Sequence, residues 1–126
     1  MRFLLDTNIV SNLIREPHGR IAERIKAVGE AAVCTSIIVA AKKASPRLTG
    51  QVDAVLDALD TLPFDSPGDV TYRSIRTQLE SAGTPISGND LLIAAQTMAL
   101  DFTLVTDNEK EFSRIDGLRV ENWLRD

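Results

Sequence analysis

Short apolar runs alternate with amphipathic stretches along the whole chain. In "RFLL", Phe3, Leu4 and Leu5 form an unbroken apolar run, the pattern of a strand buried on both faces. Ile9, Leu13 and Ile14 then suit one face of a helix. In "GRIAERIKAVG", Ile21, Ile25 and Val28 fall at i, i+4 and i+7, and Gly29 suits the helix end. "AVCTS" reads as a second strand. The clearest helical stripe lies in "RLTGQVDAVLDALDTL", where Leu48, Val52, Val55, Leu59 and Leu62 line up. "LPFD" leaves room for a short strand. "PGDVTYRSIRTQLESAG" carries Pro67 near its start and Gly83 past its end, with Tyr72, Ile75 and Leu79 facing inward. "SGNDLLIAAQTMAL" is apolar almost all round, as a central buried helix is. "DFTLVTDN" and "GLRVENW" supply the last strands. Strands alternating with helices predict an α/β fold: a parallel β-sheet flanked by helices on both faces, in a single domain over residues 1–126.

The first strand stops on Asp6, and a carboxylate at that place is costly unless something pairs with it. In a sheet of this kind ligands bind outside the carboxyl ends of the strands. Asp107, in "TLVTDN", ends another strand. Asp90 lies in the first turn of the "SGNDLLIAA" helix, where it can point at the same edge. Three carboxylates brought together repel unless a cation holds them. Oxygen ligands in that number suit Mg²⁺ or Mn²⁺ and point to phosphodiester or phosphoryl chemistry. Each acid also has an ordinary structural account. Ser87 and Asp90 make an S-x-x-D capping pair, Asp107 starts a turn with Asn108, and Asp6 caps the next helix. Three separate caps have no reason to share one edge, whereas a metal site requires it.

Composition changes this picture little. Apolar residues make up 44% and charged residues 25%, ordinary values for a soluble globular protein. No apolar run is long enough to suggest a membrane span. The first strand begins almost at Met1, which leaves no room for a signal peptide. Cys34 stands alone in "AAVCTSIIV" and reads as a small core residue in a reducing compartment, so the expected location is the cytoplasm. One His and one Cys give a zinc site almost nothing to draw on, and His18 in "EPHGR" reads as a surface loop residue. The net charge of -4 does not suit a general nucleic-acid coat. It remains compatible with a nucleic-acid enzyme whose site carries its own carboxylates.

Four segments, "LLDTNIVSNLI", "GTPISGNDLLIAAQ", "LVTDNEKEF" and "GLRVENW", together resemble the PIN-domain ribonucleases, and specifically the VapC-type toxins of bacterial toxin–antitoxin pairs. They span nearly the whole chain in the family's order. The resemblance implies a Rossmann-like PIN fold, Mg²⁺- or Mn²⁺-dependent endoribonuclease activity, an RNA substrate and a cognate VapB-like antitoxin. It further implies a homodimer that forms a hetero-oligomer with the antitoxin, contact with operator DNA only through that antitoxin, and no membrane. By position, Asp6 is similar to the first metal ligand, Asp90 to the principal later one, and Asp107 to an auxiliary catalytic acid. Glu111 is a second candidate for that auxiliary place. Arg15, Arg20, Lys42, Lys43, Arg47 and Arg114 are candidates for RNA contact.

One departure stands out. Family members follow the second strand with a helix in a pattern like S-x-x-x-x-x-E-L-x-x-G. Here "TSIIVAAKKASPRL" has Lys42 six residues after Ser36, where Glu is expected, and no E-L-x-x-G follows. The chain reads as though one to two helical turns were removed after Ala41, taking a carboxylate of the site with them. Two rival functions differ in class. In a phosphoacceptor receiver domain Asp65 after "LPF" is the acceptor, but that reading wants two adjacent acids after the first strand and a late Lys. In a pure binding module the partner surface is kept without chemistry, and Ile9, Leu13, Ile21 and Ile25 are candidates for it, although core burial is the simpler account of most of them.

Overall fold

In the computed structural model, residues 2–43, 59–65 and 68–125 are described, with side chains except at 41–43. Five short strands form one sheet: β1 Phe3–Leu5, β2 Val33–Ser36, β3 Asp60–Leu62, β4 Thr103–Val105 and β5 Arg119–Glu121. The order is β3-β2-β1-β4-β5, and every pairing is parallel. The helices are α1 Thr7–Arg15, α2 Arg20–Val28, α3 Ile37–Lys43, α4 Gly68–Ala82, α5 Gly88–Ala99 and α6 Glu109–Phe112, with a 3-10 turn at Glu30–Ala32.

The apolar run at the start of the chain becomes the central strand. Leu4 stands opposite Cys34 on one side and Leu104 on the other. Neighbouring residues of a strand point to opposite faces. Leu4 and Leu5 are nonetheless both fully buried, as are all four residues of β2. Both faces of the sheet are therefore covered, as a parallel sheet requires. From α1 and α2, Ile9, Ile21 and Ile25 go into this core and Leu13 packs half-buried against it, so these residues are structural and form no exposed partner surface. From α4 and α5, Ile75, Leu79, Leu91 and Ile93 join them.

α5 shows why an apolar helix tolerates a buried amide. The Gln96 Nε2 donates to the carbonyls of Leu62 at 3.3 Å and Pro63 at 3.0 Å, tying the helix to the end of β3. The chain's end is fastened in a similar way. Trp123, 2% exposed, meets Phe3 at 5.2 Å between ring centres, and the Arg24 guanidinium lies 5.3 Å from its ring.

Two expectations shift. The helical stripe through Leu59 and Leu62 ends sooner than the spacing implies, because Asp60–Leu62 is a strand paired to β2. Asp60, the first residue of that strand, is exposed and bound to Arg2 at 2.8 Å. The strand expected near "LPFD" thus begins three residues before Pro63. The rest of that stripe, Leu48, Val52 and Val55, lies outside the described residues, as does Arg47. After Ser36 the chain turns directly into α3, which runs through the backbone of Lys42 and Lys43.

Cys34 is buried at the middle of the sheet, with its Sγ 3.5 Å from the Phe3 carbonyl. Burial pushes its thiol from 9.0 up to about 11, with Arg2 opposing and Asp60 reinforcing the shift. Between those values the unfolded chain has lost the proton and the folded chain keeps it, so stability falls as pH rises. The expected slope is up to ~1.4 kcal/mol per pH unit, absent in Cys34→Ala. Urea unfolding of both proteins at about pH 8 and about pH 10 checks it. Parallel losses in the two proteins would remove Cys34 as the cause.

Candidate functional site

Asp6 is 4% exposed at the carboxyl end of the central strand. Its backbone N–H still donates to Val105 across the sheet at 2.9 Å, while its carbonyl accepts from Ile9 and Val10 at 3.1 and 3.0 Å. The residue therefore belongs to β1 on one side and caps α1 on the other. Its Oδ1 accepts from the Thr7 N–H at 2.8 Å, and its Oδ2 accepts the Thr106 hydroxyl at 2.7 Å. The positive end of α1 favours the negative charge placed there. Two tripeptides grip each other across the β1–β4 junction. In "DTN" and "TDN", Asp6 takes the Thr106 hydroxyl, and the Asn8 Oδ1 accepts from the Asp107 N–H at 3.3 Å.

The Thr106 hydroxyl passes this link onward. It accepts from the Asn108 N–H at 3.0 Å, and the Asn108 Nδ2 donates to Glu111 Oε2 at 2.7 Å. Glu111 Oε1 accepts from the Ser87 N–H at 3.2 Å, and Ser87 Oγ caps α5 by accepting from the Asp90 N–H at 3.3 Å. Asp6 and the first turn of α5 are thus joined by a continuous chain of hydrogen bonds. Asp90, half-buried, sits in that turn. The S-x-x-D pair is a cap as expected, but Ser87 supplies the capping oxygen.

Asp107 and Glu111 separate clearly. Asp107 is exposed and turns to the chain's end, accepting from Asn122 Nδ2 at 3.0 Å with Arg125 at 3.7 Å. Glu111 instead joins β4's loop to α5. Sequence spacing left the two equivalent. The distinguishing signal is "NEKE", which places Glu111 three residues after Asn108, within side-chain reach over one turn. Asp65 is exposed after β3. Arg20 and Arg114 are held by the carbonyls of Leu124 and Pro85. Arg15 is exposed in the last turn of α1, and the Lys42 and Lys43 side chains lie outside the described set.

The oxygen donors at this edge suit a hard cation in kind. Asp6 and Asp90 are carboxylates, and the buried Thr7 Oγ1 beside Asp6 has no hydrogen-bond partner among the described residues. They are short in number: among the described residues no three Asp, Glu, His or Cys side chains come together to hold a metal ion. Asp6, Asp90 and Asp107 accordingly do not converge as a triad.

A PIN domain model matches residues 3–118. Ribonuclease VapC2 of Rickettsia felis is 33% identical over 132 positions, covering 98% of each chain. The tRNA(fMet)-specific endonuclease VapC of Salmonella typhimurium is 30% identical over 131 positions, again covering 98% of each. These alignments are longer than the 126-residue chain, so the relatives carry residues that it lacks. Among solved structures, VapBC2 from Rickettsia felis bound to a DNA fragment from their promoter superposes with a TM-score of 0.88 at 32% identity, covering 98% of this chain and 99% of that one. DNA-bound VapBC from Salmonella typhimurium gives 0.86 at 30% identity, covering 98% of each. The chain belongs to the PIN domain family. Within that family it is of the VapC type.

Thr106→Val removes the hydroxyl that both seats Asp6 and holds the Asn108 N–H. A loss of ~2–3 kcal/mol is expected, because a buried carboxylate loses one of its donors. Thr106→Ser keeps the hydroxyl and is expected to lose only ~1 kcal/mol for the missing methyl. Urea unfolding distinguishes the two. Equal losses would mean that the methyl, not the hydrogen bonds, matters.

Proposed function

We propose that this protein is the toxin of a toxin–antitoxin pair, an endoribonuclease by descent whose own activity is weakened by a missing carboxylate. The observation that carries the reading is the hydrogen-bond chain from Asp6 through Thr106, Asn108, Glu111 and Ser87 to the turn bearing Asp90. Asp6 and Asp90 are the residues that would hold Mg²⁺ or Mn²⁺, with Asp107 an auxiliary acid at the rim. When bound, such an ion activates water and neutralises charge on the scissile phosphate. The protein's part is to aim its ligands. Thr106 seats Asp6, and Glu111 acts as a positioning residue by fixing Ser87 at the start of α5.

The damage we infer lies after Ala41. No three acids converge among the described residues, and the relatives' extra positions support a shortened segment. With one ligand fewer, positioning of the attacking water suffers more than binding of the ion. The fold is one PIN domain over residues 1–126, located in the cytoplasm; among the described residues no helix is long and apolar enough to cross a membrane. The partner is a VapB-like antitoxin that supplies any operator DNA contact, by analogy with the VapBC complexes that the chain resembles. The toxin is a homodimer within that assembly. An antitoxin Arg or Lys reaching the acids would bind even a catalytically silent chain.

Inserting E-L-R-Y-G-A between Ala41 and Lys42 is expected to raise divalent-dependent RNA cleavage ~100-fold or more. The same insert with Gln for Glu is expected to leave it unchanged. Equal cleavage by the original and repaired chains would remove the damage, and no cleavage by either would remove the ribonuclease reading.

Metal binding has its own test, free of activity. At ten times its Kd, Mg²⁺ is expected to stabilise the protein by ~1.4 kcal/mol. Asp90→Asn should lose this gain while keeping α5 capped, since Ser87 supplies the cap. Melts in EDTA and in excess Mg²⁺ measure it, and the same gain in both proteins would strike Asp90 from the ligands.

A further inference from the structure

A cavity of about 280 Å³ opens between α4 and the start of α5. Tyr72, Arg76 and Glu80 line one wall, and Ile86, Gly88 and Leu91 line the other. The first three recur every four residues, so they share one face of α4. Arg76 Nε bonds Glu80 Oε1 at 2.9 Å. Glu80, by its hydrogen bond and its charge, pushes the Arg76 guanidinium further up from its usual range. On the opposite wall, a Cβ at Gly88 would meet nothing within 4 Å, so the cavity stays open beside the turn that carries Asp90 two residues later.

We propose that this cavity is a nucleobase subsite of the RNA-binding surface, with a preference for guanine. The inference rests on the ribonuclease reading and names the base that this surface selects. Its volume lies just below the usual range for small-molecule sites, a size for one flat ring system. Single-stranded RNA is read by splaying bases out against aromatic faces and Arg planes while hydrogen-bonding their edges. Tyr72 supplies the stacking surface, and Ile86 and Leu91 supply the apolar walls. Glu80 is an acceptor-only group, and guanine alone among the four bases offers two adjacent N–H donors on its pairing edge. The Arg76 guanidinium complements the guanine O6 and N7 acceptors. A base seated here places its strand alongside Gly88 and hence next to Asp90.

Tyr72 is the single tyrosine of the chain, so fluorotyrosine labelling gives one ¹⁹F resonance that reports this cavity alone. The four nucleoside 5′-monophosphates and inorganic phosphate are titrated into the full chain in EDTA. GMP is expected to give a saturable shift, the other three nucleotides weaker ones, and phosphate none. Glu80→Gln is expected to weaken GMP ~10-fold and leave the others unchanged. Shifts that match phosphate alone, or that are equal for all nucleotides and indifferent to Glu80→Gln, overturn the proposal. So does a shift that only a partner antitoxin segment produces, which would give the cavity to the partner. Cleavage by the repaired chain is read separately. Cleavage without a GMP-specific shift removes the subsite alone, and a GMP-specific shift without cleavage removes the ribonuclease reading while the subsite stands.

Discussion

A carboxylate buried at the end of the central strand constrains everything around it. An uncompensated charge in that position would cost several kcal/mol, so the surroundings must supply donors. The supply comes from two directions. The first turn of α1 gives the Thr7 N–H, and the loop after β4 gives the Thr106 hydroxyl. That second donor reaches Asp6 only if β4 lies beside β1 in the observed register, with Leu5 opposite Val105. The charge thereby penalises any slip of the two strands. It also fixes the loop whose Asn108 and Glu111 hold the start of α5.

Most of this architecture was legible in the sequence because burial leaves a pattern. A run such as "FLL" or the nearly all-apolar "LLIAAQTMAL" admits few environments, and β1 and α5 occupy the expected ones. The end of the stripe at Leu62 was misread because a strand and a helix both accept leucines three apart; pairing with Thr35 and Ser36 decided it. The pattern alone puts Asp6 at the end of β1 and Asp90 in the first turn of α5, where they lie. The roles of Asp107 and Glu111 were not legible, because two acids four residues apart in a turn differ only in which neighbours they face. That depends on Asn122, Arg125 and Ser87, which no local pattern connects to them.

The core beside α3 is complete. α3 still places Val39 fully buried, and β2 retains both neighbours in the sheet. Loop shortening changes closure entropy only slowly, so a surface connection can lose residues at little cost to the fold. A carboxylate set has no such tolerance, since each ligand is a large share of the whole.

The strand order has a consequence for biosynthesis. β1 emerges first, yet its Asp6 waits for Thr106, and Phe3 waits for Trp123. A nascent chain that has not reached Thr106 holds Asp6 without that hydroxyl and α5 without the Glu111 clamp. Assembly of the acidic edge is thus deferred until Thr106 and Glu111 have been synthesised, and polypeptides released before them by a stalled ribosome carry no organised site.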